Sequence, residues 1–570
     1  MLHGRPFASP SRLHAFVALA ATVVASLGCD GCKKAQETTD KVKKEVVAKL
    51  RSVDEAPPPA NLVAELVVKD AEAFVKKSAD GAGFSAEVGP SPFEKLVASV
   101  PDENAKKGLR SIDPHGPLAV VATMVFAPDQ KPHVILAAKL KDPEIATVAL
   151  TAAAKGGQIK SWDSKVLDTQ VYEPGAKGEI AVYGEWVVVS DTREAIESGG
   201  KYAAWKASKG ASATRDLSLR VPMDKVGPEL QKVGNAGYAS IPAGTIPPKL
   251  QAALDPMIGP VLQGIADMGE LTFDVDTDGK TLRFDEKVGA KGSFATWLGH
   301  YPVGDAKGLL SMPKADGGSL SRFPDGLGPL IYAGADTGLS ASGLKPADRA
   351  DVQTALETLG KSLGHEWALA NKGGGASSEF LLRVELSDPA GAKKALPALE
   401  KAALKSLPTK GAGAPKLTPY KKLGAEGDEV SIETGPGATI HLLWAVRGSY
   451  LFVAYANAPW SIVDAAIDPA STATFEKDAA ASAKIATYPS KNLASASYGD
   501  TWSFSKSLVP GAGASAAPAA GTGTQWSWST VDSSGLVAKG EIPLAFIGDL
   551  TRFYMGLFSM FGPGAAPPPY

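Results

Sequence analysis

The stretch "EIAVYGEWVVVSDTREAIES", Glu179 to Ser198, reads as an apolar strand, a Gly-X turn, a second apolar strand and a helix start. "TIHLLWAVRGSYLFVAYANAPWSIVDAA", Thr439 to Ala466, repeats that order, with Gly184 and Gly448 standing 264 residues apart. Gly184-Glu185 and Gly448-Ser449 suit a two-residue II′ turn, whose first central position needs positive φ. Asp191 with Glu194 has the spacing of a capping box, and Asn457 with Pro459 suits a helix start.

Working outward, a second pair of segments precedes these hairpins. "HVILAAKLKDPEIATVALTAAAK" from His133 and "EFLLRVELSDPAGAKKALPALEKAALK" from Glu379 stand 246 residues apart. Phe380, Leu382, Val384 and Leu386 alternate with Glu379, Arg383 and Glu385, the period of a strand buried on one face. That alternation puts Glu379, and His133 aligned with it, on the outer face. Asp142 and Asp388 then stand at N-cap positions, with Pro143 and Pro389 at the first helical position. Pro397 is expected to break or kink the second helix.

A third pair closes each copy. "LTFDVDTDGKTLRF" (Leu271 to Phe284) parallels "WSWSTVDSSGLVAKG" (Trp526 to Gly540), Gly279 and Gly535 being 256 residues apart. The changing offsets place insertions between landmarks, as surface loops allow. The first copy carries an amphipathic helix through Leu250, Leu254, Ile258, Val261 and Ile265, where the second has "PGAGASAAPAAGTGT", Pro510 to Thr524. The expectation is an α+β fold of two tandem related units, each an antiparallel sheet with helices packed on one face. They are drawn at 61–300 and 301–564, with the boundary near Gly299 to Val303 and a short unstructured tail at 565–570. This ordering resembles duplicated bacterial envelope proteins, a resemblance that implies no activity.

Composition narrows the class. The 570 residues exceed one typical core, and an apolar fraction of 44% is enough to fill globular interiors. A net charge of −2 supplies no overall field for nucleic acid, so that class of partner is set aside. Both cysteines, Cys29 and Cys32, lie at the start, so no disulfide or thiolate metal cluster can serve the body.

The first residues, "MLHGRPFASPSRLHAFVALAATVVASLGCDGCKK", carry Arg5 and Arg12 and no acid before Asp30. The apolar run Ala15 to Leu27 is about 20 Å long as a helix, short of a bilayer core of roughly 30 Å. These are export-signal features. "SLGC", Ser26 to Cys29, resembles the lipobox of bacterial lipoproteins, with Leu27 one place nearer the cysteine than the usual leucine. The resemblance implies cleavage after Gly28, a diacylglycerol on the Cys29 sulfur, and anchoring to a membrane of the bacterial cell envelope. An ordinary cleaved secretory signal is the alternative. From Lys33 to Arg51 the chain carries seven basic and three acidic residues and then reaches Pro57, Pro58 and Pro59. Residues 29–60 thus read as a charged, proline-stiffened tether.

Each chemical motif has a bland reading beside it. Asp274, Asp276, Asp278 and Gly279 spell the opening of a calcium loop, but Leu271, Phe273 and Val275 alternate as a strand, which favours a hairpin turn. "GKSLG", Gly360 to Gly364, matches a nucleophile elbow and the tail of a phosphate loop. Ala355 occupies the position of the required first glycine, and "DVQTALETL" before it is helical, so a helix end is favoured. His365-Glu366 begins a zinc motif whose second histidine is replaced by Leu369. Neither a catalytic residue nor a metal or cofactor site is therefore assigned.

Trp526 and Trp528 are the unusual residues. Their register partners, Glu270 and Thr272, lie on the polar face of the first copy's strand, so the tryptophans need a cover or a ligand. Packing is the default, and a stacking platform for a sugar or an apolar ligand is the alternative. The apolar segment Leu544 to Gly562 reads as a helix docking into the second core. The sequence points to a lipid-anchored envelope protein that binds a protein partner or an apolar or glycan ligand through two duplicated units. An extracytoplasmic hydrolase and a structural spacer are the other readings.

Overall fold

The computed structural model describes residues 53–548, except 101–105, 107–108, 125–130, 174–177, 243, 247, 325–345, 374–377, 407–414, 436–437, 458–459, 469, 472 and 500–522. Residues 1–52 with Cys29 and the charged part of the tether, most of Pro510–Thr524, all but the start of the expected helix Leu544 to Gly562, and the tail at 565–570 lie outside the described residues. The chain divides into two compact units, 1–229 with 270–284 and 230–269 with 285–570. These spans interleave, whereas the sequence reading drew contiguous ones.

The first unit is built on β1 (Leu62–Val68), β2 (Leu118–Thr123), β3 (His133–Lys139), β4 (Lys160–Ser164), β5 (Thr169–Glu173), β6 (Glu179–Tyr183), β7 (Trp186–Ser190), β8 (Leu217–Pro222), β9 (Met268–Thr277) and the start of β10 (Thr281–Ala290). Pairings run in the order β4-β5-β6-β7-β3-β2-β1-β8-β9-β10. Its helices are α1 (Ala71–Ala82), α2 (Ser85–Val88), α3 (Pro92–Ser99), α4 (Pro143–Lys155), α5 (Arg193–Gly210) and the first turns of α6 (Met223–Ala239).

The second unit holds the rest of α6, α7 (Pro248–Ala266), α8 (Gly292–Gly299), α9 (Lys307–Leu310), α10 (Pro346–Ser362), α11 (Pro389–Ser406), α12 (Ile462–Ile467) and α13 (Ala479–Ile485). Its strands are β11 (Gly317–Arg322), β12 (Leu363–Lys372), β13 (Glu379–Leu386), β14 (Lys416–Lys422), β15 (Ala425–Gly435), β16 (Ala438–Arg447), β17 (Tyr450–Ala456), β18 (Leu493–Gly499), β19 (Gln525–Asp532) and β20 (Gly535–Pro543). They pair antiparallel in the order β14-β15-β16-β17-β13-β12-β11-β18-β19-β20. That is the order of the first unit, strand for strand. The α+β class and the antiparallel sheet stand as the sequence suggested.

The hairpin glycines do what their position demands. Gly184 has φ +60° and Gly448 φ +56°, while Glu185 and Ser449 keep negative φ, which defines II′ turns. Asp142 accepts from the Ile145 N–H at 2.9 Å and Asp388 from the Gly391 N–H at 2.9 Å, each ahead of its proline. Helix α11 runs through Pro397 unbroken, held by the buried Ala392, Ala395 and Ala402. The cap of α5 falls one residue later than expected, on Thr192, whose hydroxyl accepts from the Ala195 N–H at 3.2 Å. Asp191 instead faces His133, 3.2 Å from its Nδ1.

Helices cover both faces of each sheet, not one. In the first unit α5 packs on Ala119, Val121, Ile135, Ala181 and Val188. Ala146 and Leu150 of α4 pack on Ile180, Val182 and Val189, neighbours that point the opposite way along the same strands. In the second unit Ala392 and Leu396 of α11 pack on Val384 and Val446, while Leu381, Ala445, Ile462 and Ile485 form the core on the other face. Glu379 is likewise buried rather than outward. Its carboxylate accepts from the Ser461, Ile462 and Val463 N–H groups, which the start of α12 leaves without helical partners.

Candidate functional site

Helix α5 lies close on the first unit's sheet because its inner face is made of small residues: Gly199, Gly200, Ala203, Ala204, Ala207 and Gly210 are all buried. A Cβ at Gly210 would stand 2.9 Å from Val67 Cγ1, so glycine sets the approach there. Tyr202, Trp205 and Lys206 share the helix edge, one turn apart. From that edge they reach β1 and β8, where Glu65 and Arg220 are direct cross-strand partners.

Glu65 is the centre of the arrangement and is only 4% exposed. Its carboxylate accepts from the Tyr202 hydroxyl, from Lys206 Nζ at 2.7 Å and from Arg220 Nη1 at 3.4 Å. Arg220 also pairs with Glu270. Burial, reinforced by the neighbouring Glu65 carboxylate, raises the Tyr202 phenol well above its ordinary pKa. The hydrogen-bonded pair with Glu270 likewise raises Arg220 above its ordinary value. The phenol is a fixed donor and the guanidinium a fixed cation.

Lys206 Nζ also sits over two rings, 5.4 Å from the Tyr202 centroid and 5.3 Å from that of Trp205. Those rings are 5.7 Å apart and tilted by 41°. Opposite them runs the end of the tether. Ala56 and Pro59 are buried against the unit, and the Pro59 carbonyl accepts from the Leu62 N–H at 3.1 Å. Pro57 and Pro58 stay exposed at the lip. Between these walls is an open cleft of about 490 Å³, lined by Glu55, Ala56, Pro57 and Pro58 on one side and Tyr202, Trp205, Lys206 and Arg220 on the other. Residues 53–60 are thus docked onto the body, not part of a free spacer.

The motifs singled out in the sequence lie elsewhere and are engaged structurally. Asp274 accepts from Ser218 Oγ at 2.6 Å, Asp276 pairs with Arg215, and Asp278 accepts from the Lys280 and Thr281 N–H groups, each at 2.9 Å. Asp285, which stands where a calcium loop wants its bidentate glutamate, pairs with Lys539 at 3.1 Å. Gly360 to Ser362 close α10, and Ser362 Oγ bonds the Thr358 carbonyl at 2.8 Å. His365 Nδ1 is 3.0 Å from the Phe323 carbonyl, and Glu366 is the counter-ion of the buried Arg322 at 2.6 Å. Among the described residues, no group of three or more His, Cys, Asp or Glu could hold a metal ion.

Trp526 and Trp528 do not stand on a wet face. They are half-buried against the core that contains Phe475, Ala481, Ile485 and Tyr488. Lys484 Nζ lies 3.6 Å above the Trp526 ring, and Trp526 Nε1 donates to Glu541 at 3.2 Å. Sequence register flagged these two for lacking a cover, which the 475–488 segment supplies. It missed Tyr202, Trp205, Lys206 and Arg220. The i, i+3, i+4 spacing of "YAAWK" was the available signal.

No helix among the described residues is long and apolar enough to cross a membrane. No family model matches the chain, and no curated protein matches it. Two solved structures do, titled "Structure of crystal form IV of TP0453" and "Structure of crystal form I of TP0453". They are 9% and 10% identical, cover 42% and 43% of this chain and 81% and 85% of theirs, each with a TM-score of 0.20. At that TM-score the likeness transfers neither a fold nor an activity.

Proposed function

We propose that the protein is a lipid-anchored component of the bacterial cell envelope that binds a ligand without performing chemistry on it. The observation that carries the binding role is the cleft beside α5. Its phenol and two cations are already paired with the buried Glu65 carboxylate, an arrangement suited to holding a ligand rather than attacking one. The anchor rests on the lipobox-like "SLGC" and places the sulfur of Cys29 at the membrane.

Mass spectrometry of protein purified from native membranes tests the anchor. The expected N-terminal peptide begins at Cys29 with acyl chains attached, and Cys29→Ser moves the protein into the soluble fraction. A bare Cys29 sulfur with residues 1–28 still present overturns the anchor.

A further inference from the structure

We infer that the cleft beside α5 takes an uncharged, hydroxyl-rich ligand with a flat apolar face, the chemistry of a neutral oligosaccharide. This rests on the binding role proposed above and names its ligand class.

Charge balance is the first reason. Lys206 and Arg220 face Glu65 and Glu270, so each cation already has a carboxylate. A polyanionic ligand would have to compete with buried Glu65 and would meet the Glu55 carboxylate at the lip, and a cationic one would meet Lys206 and Arg220. A neutral ligand leaves those pairs intact.

Donor supply is the second. Lys206 carries three N–H donors, and one carboxylate oxygen takes only part of them. Trp205 Nε1 donates to no group among the described residues. Arg220 is raised in pKa and stays a donor. Hydroxyl and ring oxygens are the acceptors that such scattered, pre-oriented N–H groups suit.

Shape is the third. Tyr202 is only 2% exposed and backs the half-buried Trp205 from the same helix, so the ring open to the cleft is that of Trp205, held in place by α5. The apolar C–H face of a pyranose ring stacks on such a ring while its edge hydroxyls reach the polar groups beside it. The volume of about 490 Å³ lies within the range of small-ligand pockets.

The test uses the full mature lipoprotein in detergent, with calorimetry and tryptophan fluorescence. The panel is a neutral gluco-oligosaccharide, a neutral N-acetylated chito-oligosaccharide, a uronic-acid oligosaccharide and a proline-rich peptide. At least one neutral sugar is expected to bind. Trp205→Ala should weaken it about tenfold, Trp205→Phe should restore much of the loss, and Trp526→Ser should leave it unchanged. Circular dichroism confirms that each variant is folded.

Binding of no neutral sugar, or binding that Trp205→Ala leaves untouched, overturns the inference. Preference for the peptide or the acidic sugar, lost in Trp205→Ala, also overturns the ligand class but keeps the binding role. Cleavage of a bound neutral sugar, followed by chromatography, overturns the non-catalytic reading and keeps the ligand class.

Discussion

Lys206 Nζ lies 2.7 Å from Glu65 Oε1, an ion pair that joins α5 to β1 across 141 residues of chain. The carboxylate is nearly fully buried and also receives the Tyr202 hydroxyl and Arg220, so three donors depend on one acceptor. Glu65→Ala removes that acceptor and leaves the buried phenol and Lys206 without it, while Arg220 keeps Glu270. The expected cost is about 3 kcal/mol, read by urea denaturation. Lys206→Ala should cost clearly less, because Tyr202 and Arg220 still satisfy Glu65. Equal losses would sink the idea that the carboxylate organises the site.

Gly427 in β15 lies opposite Ala445 in β16 with no room for a side chain. A Cβ there would stand 1.9 Å from the Trp444 carbonyl oxygen, and backbone cannot yield as a side-chain tip can. Gly427→Ala should lower stability by about 2–3 kcal/mol. Gly448→Ala has open space and bears only the strain of its φ of +56°, about 1 kcal/mol. Reversal of that ranking in thermal melts would contradict the register.

Asp278 sits in the β9–β10 turn, where the Thr281 and Lys280 N–H groups, the Thr281 hydroxyl and Arg283 lower its pKa to about 2. An unfolded aspartate titrates near 3.9. A depressed folded value contributes stability that is present above about pH 4 and lost as pH falls through about 2. The Asp278 carboxyl resonance should titrate near 2, and Asp278→Asn should flatten the acid slope between about 2 and 4. A midpoint near 4 would remove the turn's electrostatic role.

Trp526 and Trp528 bury one side each against the second unit's core. Replacing both by Ser should destabilise the protein by about 3 kcal/mol, less than full burial of two indoles would give. Ligand binding at the α5 cleft should survive. An unchanged denaturation midpoint would mean that the 475–488 cover is not a packing contact.

Local chemistry was readable where a residue decides its own backbone. The glycines at 184 and 448, the Asp-Pro pairs at 142 and 388, and the helix end at Gly360 to Ser362 each act through φ, a missing N–H or a neighbouring hydrogen bond. Glu379 escaped because alternation describes only which way a side chain points. It cannot report that α12, over 80 residues later, presents three free N–H groups to the carboxylate. Thr192 took the cap because Asp191 had a competing partner in His133.

The sequence by itself determined the landmark strands of this protein, their glycine turns and Asp-Pro helix starts, and the repeated order in which these occur. These depend on interactions within a few residues, whose geometry the chain carries locally. Only the tertiary structure decided that helices cover both faces of each sheet, that the proline run folds back on α5, and that Tyr202, Trp205, Lys206 and Arg220 share one cleft. Those outcomes depend on which distant apolar faces bury each other. A buried carboxylate such as Glu65 selects its partners only after that packing has expelled water around it.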